Sequence, residues 1–379
     1  MFDRRAFLKG VAEGVATLAA GESAFAVPAP EQSKSEDTHK SPKMRGVNLG
    51  GWLVTEKWMK PSLYAGLKAQ DEHSFCLELG KEKATSRLKK HRETWITASD
   101  FKWIAAHGLN SVRIPVGYWI AEENTPFISG WDTLDWAFRT AKQNGIGVLL
   151  DLHGVPGSQN GWDHSGRAGE LNWHKSPENI AHSLRVIEEL ALRCKAYSNL
   201  IGFELLNEPR WDVPMNILQK FYKDGYARVR QHLGQEKVAV VIHDGFRPFD
   251  WSGFMKEPEY ANVILDTHLY QCYTDEDHKR DAHAQIERAA VTRKQELDKM
   301  AQQLPCIIGE WSCALNPQSL NGLKGFALDT ALRGFGAAQL LSYETTKGWF
   351  FWNYKIESGG GWSFRDCVKN GWLPDKFGG

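Results

Sequence analysis

The chain has 379 residues, and 42% of them are hydrophobic, which is enough to bury a large core. Lys plus Arg and Asp plus Glu both number 46, so the formal charge is zero. This balance excludes nucleic acid as the main partner, because binding to phosphate requires a surplus of positive charge. Most of the 16 tryptophans are expected in the core, and the others suit the walls of a cleft.

Residues 1–26 are predicted to be a signal peptide of the twin-arginine type. Arg4 and Arg5 precede a short apolar stretch, and residues 23–26 (SAFA) supply an A-x-A cleavage site. The apolar part is too short to span a bilayer, so we expect export to the periplasm or outside the cell without a stable membrane anchor. An ordinary N-terminal helix is the alternative. Residues 27–43 are polar and contain proline, which predicts a disordered linker before a single domain at 44–379.

Eight short apolar segments in this domain predict β-strands. They lie at 44–49, 111–116, 147–153, 201–207, 238–244, 263–270, 306–311 and 349–354. Amphipathic segments between them, such as 133–145, predict helices. The pattern indicates an α/β fold, a (β/α)8 TIM barrel. A doubly wound open sheet is the alternative, but no G-x-G-x-x-G motif or P-loop follows the first strand.

Nearly every predicted strand ends in a polar or aromatic residue. These residues are Asn48, Arg113, His153, Asn207 with Glu208, His243 with Asp244, His268 with Tyr270, Glu310, and Trp352. In a parallel barrel the carboxyl ends of all strands meet at one rim, where active sites lie. The sequence therefore predicts one polar site at that rim.

Glu208 and Glu310 end the fourth and seventh predicted strands, so they are expected to face each other across the barrel mouth. Two facing carboxyls are what glycoside hydrolysis needs, with a spacing of about 5 Å when configuration is retained. The acid is expected to have a raised pKa and the nucleophile to stay ionised. Arg113 and Tyr270 are candidate stabilisers of an ionised Glu310.

The neighbouring polar residues have both functional and structural interpretations. Asn207 could bind a sugar 2-hydroxyl, and His153 and His268 could form polar walls, although either histidine alone could be a satisfied buried residue. A glutamate at a strand end can also be a helix cap or a surface ion pair, and Glu204 is expected to pair with an arginine inside the barrel.

No cofactor or metal is expected, because the histidines and carboxylates show no close ligand spacing such as H-E-x-x-H. The cysteines form no C-x-x-C pair, which predicts mostly buried thiols, with one or two disulfides possible after export. They are Cys76, Cys194, Cys272, Cys306, Cys313 and Cys367.

Longer motifs carry a family resemblance. N-E-P at 207–209, G-E-W at 309–311 and V-R-I-P at 112–115 resemble glycoside hydrolase family 5. RGVNLGGWLVTEKWMKPSLY (45–64), DEHSFC (71–76), SVRIPVGYW (111–119) and DLHGVPGSQNGWDHSG (151–166) are similar to its exo-β-1,3-glucanase branch. The similarity extends from about Met44 to about Pro374.

This resemblance implies a retaining two-step mechanism, in which Glu208 is the acid/base and Glu310 the nucleophile. It also implies a set of substrate-binding residues. Arg113, His153, Asn207, His268 and Tyr270 would support the cleaved sugar, Trp352 would lie beneath it, Glu56 and Asp163 would hold sugar hydroxyls, and Trp162 and Tyr273 would clamp the next sugar.

Three features depart from the fungal pattern. A phenylalanine pair is usual where this chain has Trp162 and Tyr273, asparagine is frequent at His164, and GGGWSF (359–364) is looser than the usual stretch. We expect a monomeric enzyme that releases glucose from the non-reducing ends of β-1,3-glucan. The alternatives are an endo-acting or β-1,6/β-1,4-specific glucanase, a glycosidase for a non-sugar leaving group, and a non-hydrolytic carbohydrate-binding barrel.

Overall fold

Eight parallel strands close into a barrel, and each strand pairs with the next in chain order. The computed structural model describes residues 43–122 and 125–378; the predicted signal peptide and nearly all of the predicted linker lie outside the described residues. The strands are β1 (Met44–Asn48), β2 (Ser111–Gly117), β3 (Gly147–Gly154), β4 (Leu200–Glu204), β5 (Ala239–His243), β6 (Val263–Leu269), β7 (Cys306–Trp311) and β8 (Gly348–Phe351). β8 pairs with β1, so all eight predicted strands and the predicted barrel are confirmed.

Helices cover the outside of the barrel. They are α1 (Glu72–Trp95), α2 (Ala98–Ala106), α3 (Trp131–Gln143), α4 (Pro177–Cys194), α5 (Met215–Arg230), α6 (Asp275–Lys279), α7 (Ala282–Glu287), α8 (Arg293–Ala301), α9 (Phe326–Tyr343) and α10 (Phe364–Lys369). Local sequence explains their starts: Asp71 and Ser74 form a reciprocal capping box at α1, and Ser176 caps α4 just before Pro177. The connection from β5 to β6 is built from turns and contains no α-helix.

Alternation along each strand places the polar residues of the site. In β3, Val148, Leu150 and Leu152 pack into the large core beneath the helices. Leu149 belongs instead to an apolar cluster inside the barrel, together with side chains of β5, β6, β7 and β8. Since side chains two apart share a face, Asp151 and His153 continue the inward row above Leu149. The interior is therefore apolar at the amino ends of the strands and polar at their carboxyl ends.

The cysteines are unbridged: all except the half-buried Cys272 are buried. Of the two interpretations of the cysteine pattern, the structure has the buried thiols. In the part of the chain that the structure describes, no helix combines the length and hydropathy needed to cross a bilayer.

Candidate active site

Arg113 joins the strands at the polar end of the barrel. The guanidinium is fully buried, and its Nε donates to Glu204 Oε2 at 2.8 Å, which confirms the expected interior ion pair. Its Nη1 donates to Asn48 Oδ1 (2.9 Å) and to Glu310 Oε1 (3.1 Å). Its Nη2 donates to Asn207 Oδ1 at 2.7 Å and lies 3.1 Å from Asp151 Oδ2. Burial opposes its charge, but the surrounding carboxylates outweigh burial and raise the pKa of Arg113 well above its ordinary value.

Glu310 lies on β7 and has donors on both carboxylate oxygens. Arg113 donates to Oε1, and the Tyr270 hydroxyl donates to Oε2 at 2.7 Å. The strand is irregular here: the pairing of β6 with β7 shifts between Thr267 and His268, so that His268 comes opposite Glu310. These contacts are the ones expected for a carboxylate that must stay ionised.

The glycine before Glu310 has a steric cause. Asp266 Oδ1 accepts from the Gly309 N–H at 2.5 Å, and a Cβ at position 309 would lie only 1.9 Å from Asp266 Oδ2. Only glycine allows the Asp266 carboxylate to pack this closely against the β7 backbone. The G-E-W motif therefore reflects a buried carboxylate on β6 as well as the glutamate itself.

Glu208 lies outside its strand. β4 ends at Glu204, so Asn207 and Glu208 belong to the loop that follows rather than to the strand end that the sequence predicted. Glu208 has φ of 43°, an uncommon value for a residue with a side chain and one that occurs often at functional sites. The loop after β3 supports this turn, because Gln159 Nε2 donates to the Asn207 carbonyl (2.9 Å) and Asn160 Nδ2 donates to the Glu208 carbonyl (3.1 Å).

His268 joins the two glutamates. Its Nδ1 lies 2.6 Å from Glu208 Oε1 and 3.4 Å from Glu310 Oε2. These two distances place the carboxylate oxygens no more than about 6 Å apart, close to the ~5–5.5 Å typical of retaining glycosidases. Glu208 and Glu310 therefore face one shared space at the barrel mouth.

The pKa directions of the two glutamates are the reverse of the prediction, in which the acid Glu208 has the raised pKa and the nucleophile Glu310 stays ionised. Burial pushes the pKa of Glu208 upward, but its hydrogen bond with His268 and the positive charge of that ring outweigh burial and hold the pKa far below its ordinary value. Burial raises the pKa of Glu310, despite the opposing charge of His268. Burial would lower the pKa of His268, but the charges of Glu310 and Asp266 raise it well above its usual range. The contact between His268 and Glu208 therefore favours the charged form of each group.

Two more carboxyls share this pocket. The Glu56 side chain is buried; Oε2 accepts from Trp58 Nε1 at 2.8 Å, while Oε1 has no hydrogen-bond partner. Burial and then the charge of Asp163 raise the pKa of Glu56 well above its ordinary value, with smaller contributions from Glu310 and Glu208. Burial also raises the pKa of Asp163. A buried carboxylate oxygen without a partner suits the hydroxyl of a bound ligand.

A third predicted group lies between β3 and β8. The rings of His153 and Trp352 stack at 5.6 Å with an interplanar angle of 5°. His153 Nδ1 lies 2.6 Å from Asp151 Oδ2, and its Nε2 lies 3.4 Å from Asn207 Nδ2. Trp352 follows directly after β8 and packs against Gly50, where a Cβ would lie 2.8 Å from the indole. These contacts fix an aromatic ring beside the carboxylates.

Aromatic side chains form two separate groups at the mouth. Trp162 contacts Trp211 and Phe246, with ring centroids 6.2 and 5.8 Å apart. Tyr273 contacts Tyr270 and Trp362, at 5.5 and 6.0 Å. The two residues that the family pattern pairs as a clamp therefore have different ring partners, and the clamp itself stays a prediction.

The comparisons with known proteins agree with this geometry. The model of the cellulase family, glycosyl hydrolase family 5, matches residues 77–358. The chain belongs to glycosyl hydrolase family 5. It is 39% identical to a glucan 1,3-beta-glucosidase of Blumeria graminis, over 95% of this chain and 93% of the relative. It is 37% identical to a probable glucan 1,3-beta-glucosidase A of Emericella nidulans, over 88% of this chain and 90% of the relative. The resemblance to the exo-β-1,3-glucanase branch is confirmed.

Solved structures show the same fold. The rutinosidase from Aspergillus niger superposes with a TM-score of 0.73 at 22% identity, over 88% of this chain and 98% of that chain. XacCel5A in complex with cellopentaose superposes with a TM-score of 0.53 at 16% identity, over 88% and 99% of the two chains. At these identities the likeness concerns the barrel alone.

Several site residues of this family 5 chain carry no role in the sequence interpretation. Asp151 and Asp266 lie two residues before His153 and His268 on the inward faces of β3 and β6, so alternation along the strands could have found both. His164 departs from the fungal pattern and has no predicted role, but its Nε2 lies 3.3 Å from Glu208 Oε2. Trp211 has no sequence signal beyond its position three residues after Glu208.

Two groups in the described part of the chain have donor atoms within 4.8 Å of one another, close enough for a metal ion. They are Glu208 with His243 and His268, and Glu204 with Asp266 and His268. His268 Nδ1 already faces Glu208, Arg113 donates to Glu204, and His243 Nδ1 accepts from the Gly245 N–H at 2.9 Å. We therefore assign these residues to the hydrogen-bond network around the carboxyls.

Proposed function

We propose that this family 5 chain is an exported retaining glycosidase that removes terminal glucose from the non-reducing ends of β-1,3-glucan. The observation that carries the proposal is the pair of carboxylates on either side of His268, no more than about 6 Å apart. An inverting enzyme needs a wider separation of about 6.5–9.5 Å to admit a water molecule. The names of the fungal relatives support β-1,3-glucan as the substrate.

In the first step, a carboxylate oxygen of Glu310 attacks the anomeric carbon and forms a glucosyl ester. The glycosidic C–O bond breaks, and Glu208 gives its proton to the leaving oxygen, so the shortened glucan departs as an alcohol. In the second step, Glu208 takes a proton from water, the water oxygen attacks the anomeric carbon, and Glu310 leaves as a carboxylate. Arg113 and Tyr270 stabilise the charge on Glu310 in both steps.

Glu208 obtains its proton from His268. The directions of the two pKa shifts favour a cationic His268 and an anionic Glu208 in the free protein, and the two groups are 2.6 Å apart. A bound sugar displaces water, and desolvation favours a neutral pair over an ion pair. Transfer of one proton from His268 Nδ1 to Glu208 Oε1 then makes Glu208 a neutral acid that can protonate the leaving oxygen, and Glu310 stays ionised.

Exo action rests on the carboxyls at the other side of the pocket. Glu56 is buried near Glu310, Glu208 and Asp163, and its free Oε1 can accept a hydroxyl of the terminal glucose. In this proposal the terminal glucose lies at the end of the pocket, against Glu56 and Asp163. Glucose released one unit at a time is the expected product.

Product and rescue experiments test this function. Laminari-oligosaccharides should release glucose alone from the first minutes, and proton NMR should show β-glucose as the first anomer. Glu310→Ala and Glu208→Ala should each lose at least about 10³-fold in kcat. Azide should rescue Glu208→Ala with formation of β-glucosyl azide and Glu310→Ala with α-glucosyl azide. Release of longer oligosaccharides at once would support endo action, and full activity in either variant would refute the roles.

Export by the twin-arginine route is part of the proposal and depends on residues 1–26. A fusion of these residues to a fluorescent protein should reach the periplasm of a bacterial host. The double substitution Arg4→Lys and Arg5→Lys should keep the charge and block export, since the route recognises the arginine pair. Equal export of both fusions would contradict this route.

A further inference from the structure

Three aromatic rings form a continuous surface on one side of the barrel mouth. Trp162, Trp211 and Phe246 contact one another pairwise, with centroids 6.2, 5.8 and 6.1 Å apart. We call these three residues the aromatic shelf. Trp211 is 57% exposed and Phe246 is 37% exposed, although both are large apolar side chains. Exposed aromatic rings that cluster beside a polar pocket are typical of ligand surfaces rather than of chance exposure.

The contacts order the shelf outward from the proposed acid. His164 lies 3.3 Å from Glu208, and its ring is 5.5 Å from that of Trp162. Trp162 in turn contacts Trp211, whose described ring contacts are with Trp162 and Phe246 alone. Exposure rises along the same path, from 15% for the His164 side chain to 57% for Trp211. Trp211 therefore lies one ring farther from the reacting bond than Trp162.

The segment that carries Trp211 is held in place. Arg210 forms a two-point ion pair with Asp212, with its Nε and Nη2 2.7 and 2.6 Å from the carboxylate oxygens. Its backbone N–H donates to the Gln159 carbonyl at 3.1 Å, and its guanidinium lies 5.8 Å from the Trp211 ring centroid. An exposed indole fixed in this way can bind a flat ring at a lower cost in side-chain entropy than a freely rotating one.

We propose that Trp211 forms a second acceptor subsite, which binds a flat ring with an apolar face two units away from the cleaved bond. The proposal rests on the glycosidase function proposed above and extends it to the leaving side of the substrate. A second glucose unit of the leaving chain has this chemistry, and so does the outer ring of a two-ring aromatic leaving group. Trp162 contacts the first unit, and the indole of Trp211 stacks on the next.

Chain length gives the test. For the wild type, kcat/KM should rise from laminaribiose to laminaritriose, because only the trisaccharide places a sugar on Trp211. In Trp211→Ala the ratio of kcat/KM for the trisaccharide to that for the disaccharide should fall about 5- to 10-fold, the value of one aromatic stacking contact. Trp211→Phe should lower this ratio less than Trp211→Ala does, because the phenyl ring can still stack on the sugar. Leu192→Ala, which removes a 52% exposed apolar side chain near the end of α4, should leave both values unchanged.

Aryl glucosides distinguish the two candidate ligands of the subsite, which are a second glucose unit and the outer ring of an aromatic leaving group. A preference of the wild type for 4-methylumbelliferyl over p-nitrophenyl β-glucoside that Trp211→Ala abolishes would assign the subsite to aromatic leaving groups. If Trp211→Ala lowers kcat/KM only for the laminari-oligosaccharides, the subsite is assigned to glucan. A trisaccharide to disaccharide ratio equal in wild type and Trp211→Ala, with no change on aryl glucosides, would overturn the subsite. Wild-type turnover of laminaribiose tests the proposed function separately, because that substrate does not reach Trp211.

If the wild type turns over no laminari-oligosaccharide, the proposed function fails and binding decides the subsite. Calorimetry would compare laminaritriose binding to the wild type and to Trp211→Ala. A Kd at least about 5-fold weaker in the variant would keep the subsite, whereas equal affinity or no binding would overturn it.

Discussion

His164 Nε2 lies 3.3 Å from Glu208 Oε2, on the carboxylate oxygen opposite the one that His268 contacts at 2.6 Å. The two imidazoles differ in charge. Burial lowers the pKa of His164 to about 4, so this ring is neutral near pH 7. The carboxylates around His268 overcome burial and raise its pKa, so that ring is cationic. Glu208 thus lies between a neutral imidazole and a cationic one.

Removal of His164 should move the pH profile. The polar ring of His164, 3.3 Å from Glu208, favours the ionised carboxylate over the neutral acid, so His164→Ala should raise the pKa of Glu208. In the first step Glu208 must hold the proton that it shares with His268, so a more basic Glu208 makes this proton harder to remove, and the alkaline limb of kcat/KM should move to higher pH by roughly 0.5–1 unit. The measurement is kcat/KM from pH 4 to 9 on p-nitrophenyl β-glucoside.

The matched variant is His164→Asn, which keeps a polar side chain beside Glu208 and should leave the alkaline limb near its wild-type position. The other groups that face Glu208 are His268, His243 and Glu310, and those that face His164 are His153, His268 and Asp151. All of them are unchanged in both variants. An alkaline limb that His164→Ala leaves in place would show that this contact does not act on the acid.

Tyr270→Phe should move the acidic limb of the pH profile of kcat/KM. The lost hydroxyl donates to Glu310 Oε2 at 2.7 Å, so its removal destabilises the ionised carboxylate and raises a pKa that burial has already raised. Glu310 must be ionised to attack, so the acidic limb should move to higher pH by about 1 unit and the maximal kcat/KM should fall about 10-fold. Tyr226→Phe also removes a buried hydroxyl contact, to the Ala261 backbone, but is remote from the pocket and should leave the profile unchanged. Identical profiles for the two variants would argue against the role of Tyr270.

Arg113→Lys should destabilise the fold and reduce activity together. Lysine keeps the charge but cannot supply the five-donor fork, so Glu204 and Glu310 lose hydrogen bonds and Asp151 loses a close ion pair inside the barrel. The free energy of unfolding should fall by about 3–5 kcal/mol, measured by urea denaturation. Arg193→Lys, in an ion pair with Asp135 where Arg193 is 40% exposed, should cost at most about 1 kcal/mol. A loss of similar size in both variants would contradict a special role for the buried pairs.

Gly309→Ala should be destabilising despite its small size. The added Cβ would lie 1.9 Å from Asp266 Oδ2, so the strand or the carboxylate must move, at a cost of about 1–3 kcal/mol. Gly234→Ala is the matched control, because a Cβ there meets no atom within 4 Å. Thermal unfolding of both variants measures the difference, and an unchanged Tm for Gly309→Ala would show that Asp266 can adjust freely.

The features that follow from strand periodicity could be predicted from the sequence. The eight apolar segments predict the barrel that the structure has. The polar residues at the predicted strand ends place Glu310, Arg113 and His153 at one rim, and Arg113 contacts Glu310 there. The interior pairing of Glu204 with an arginine also followed, because an inward carboxylate on β4 needs a buried partner.

Features that depend on loops or on shared protons could not be predicted. Glu208 lies four residues beyond β4, and its turn depends on amides from the separate loop after β3. The contact of His164 with Glu208 and the aromatic shelf depend on the same loop. The pKa of Glu208 is lowered because one proton is shared with His268, and residue types alone do not show where such a proton lies.

Arg113 contacts groups on β1, on β3, in the loop after β4 and on β7. The same side chain therefore helps to hold the barrel closed and stabilises the charge on Glu310. Each of these elements occupies a different sector of the closed ring. Here a substitution in any contributing sector would disturb the charge that stabilises Glu310. Selection for turnover alone would thus also preserve the closed ring, and neutral divergence should accumulate on the outer helices and the turns between β5 and β6.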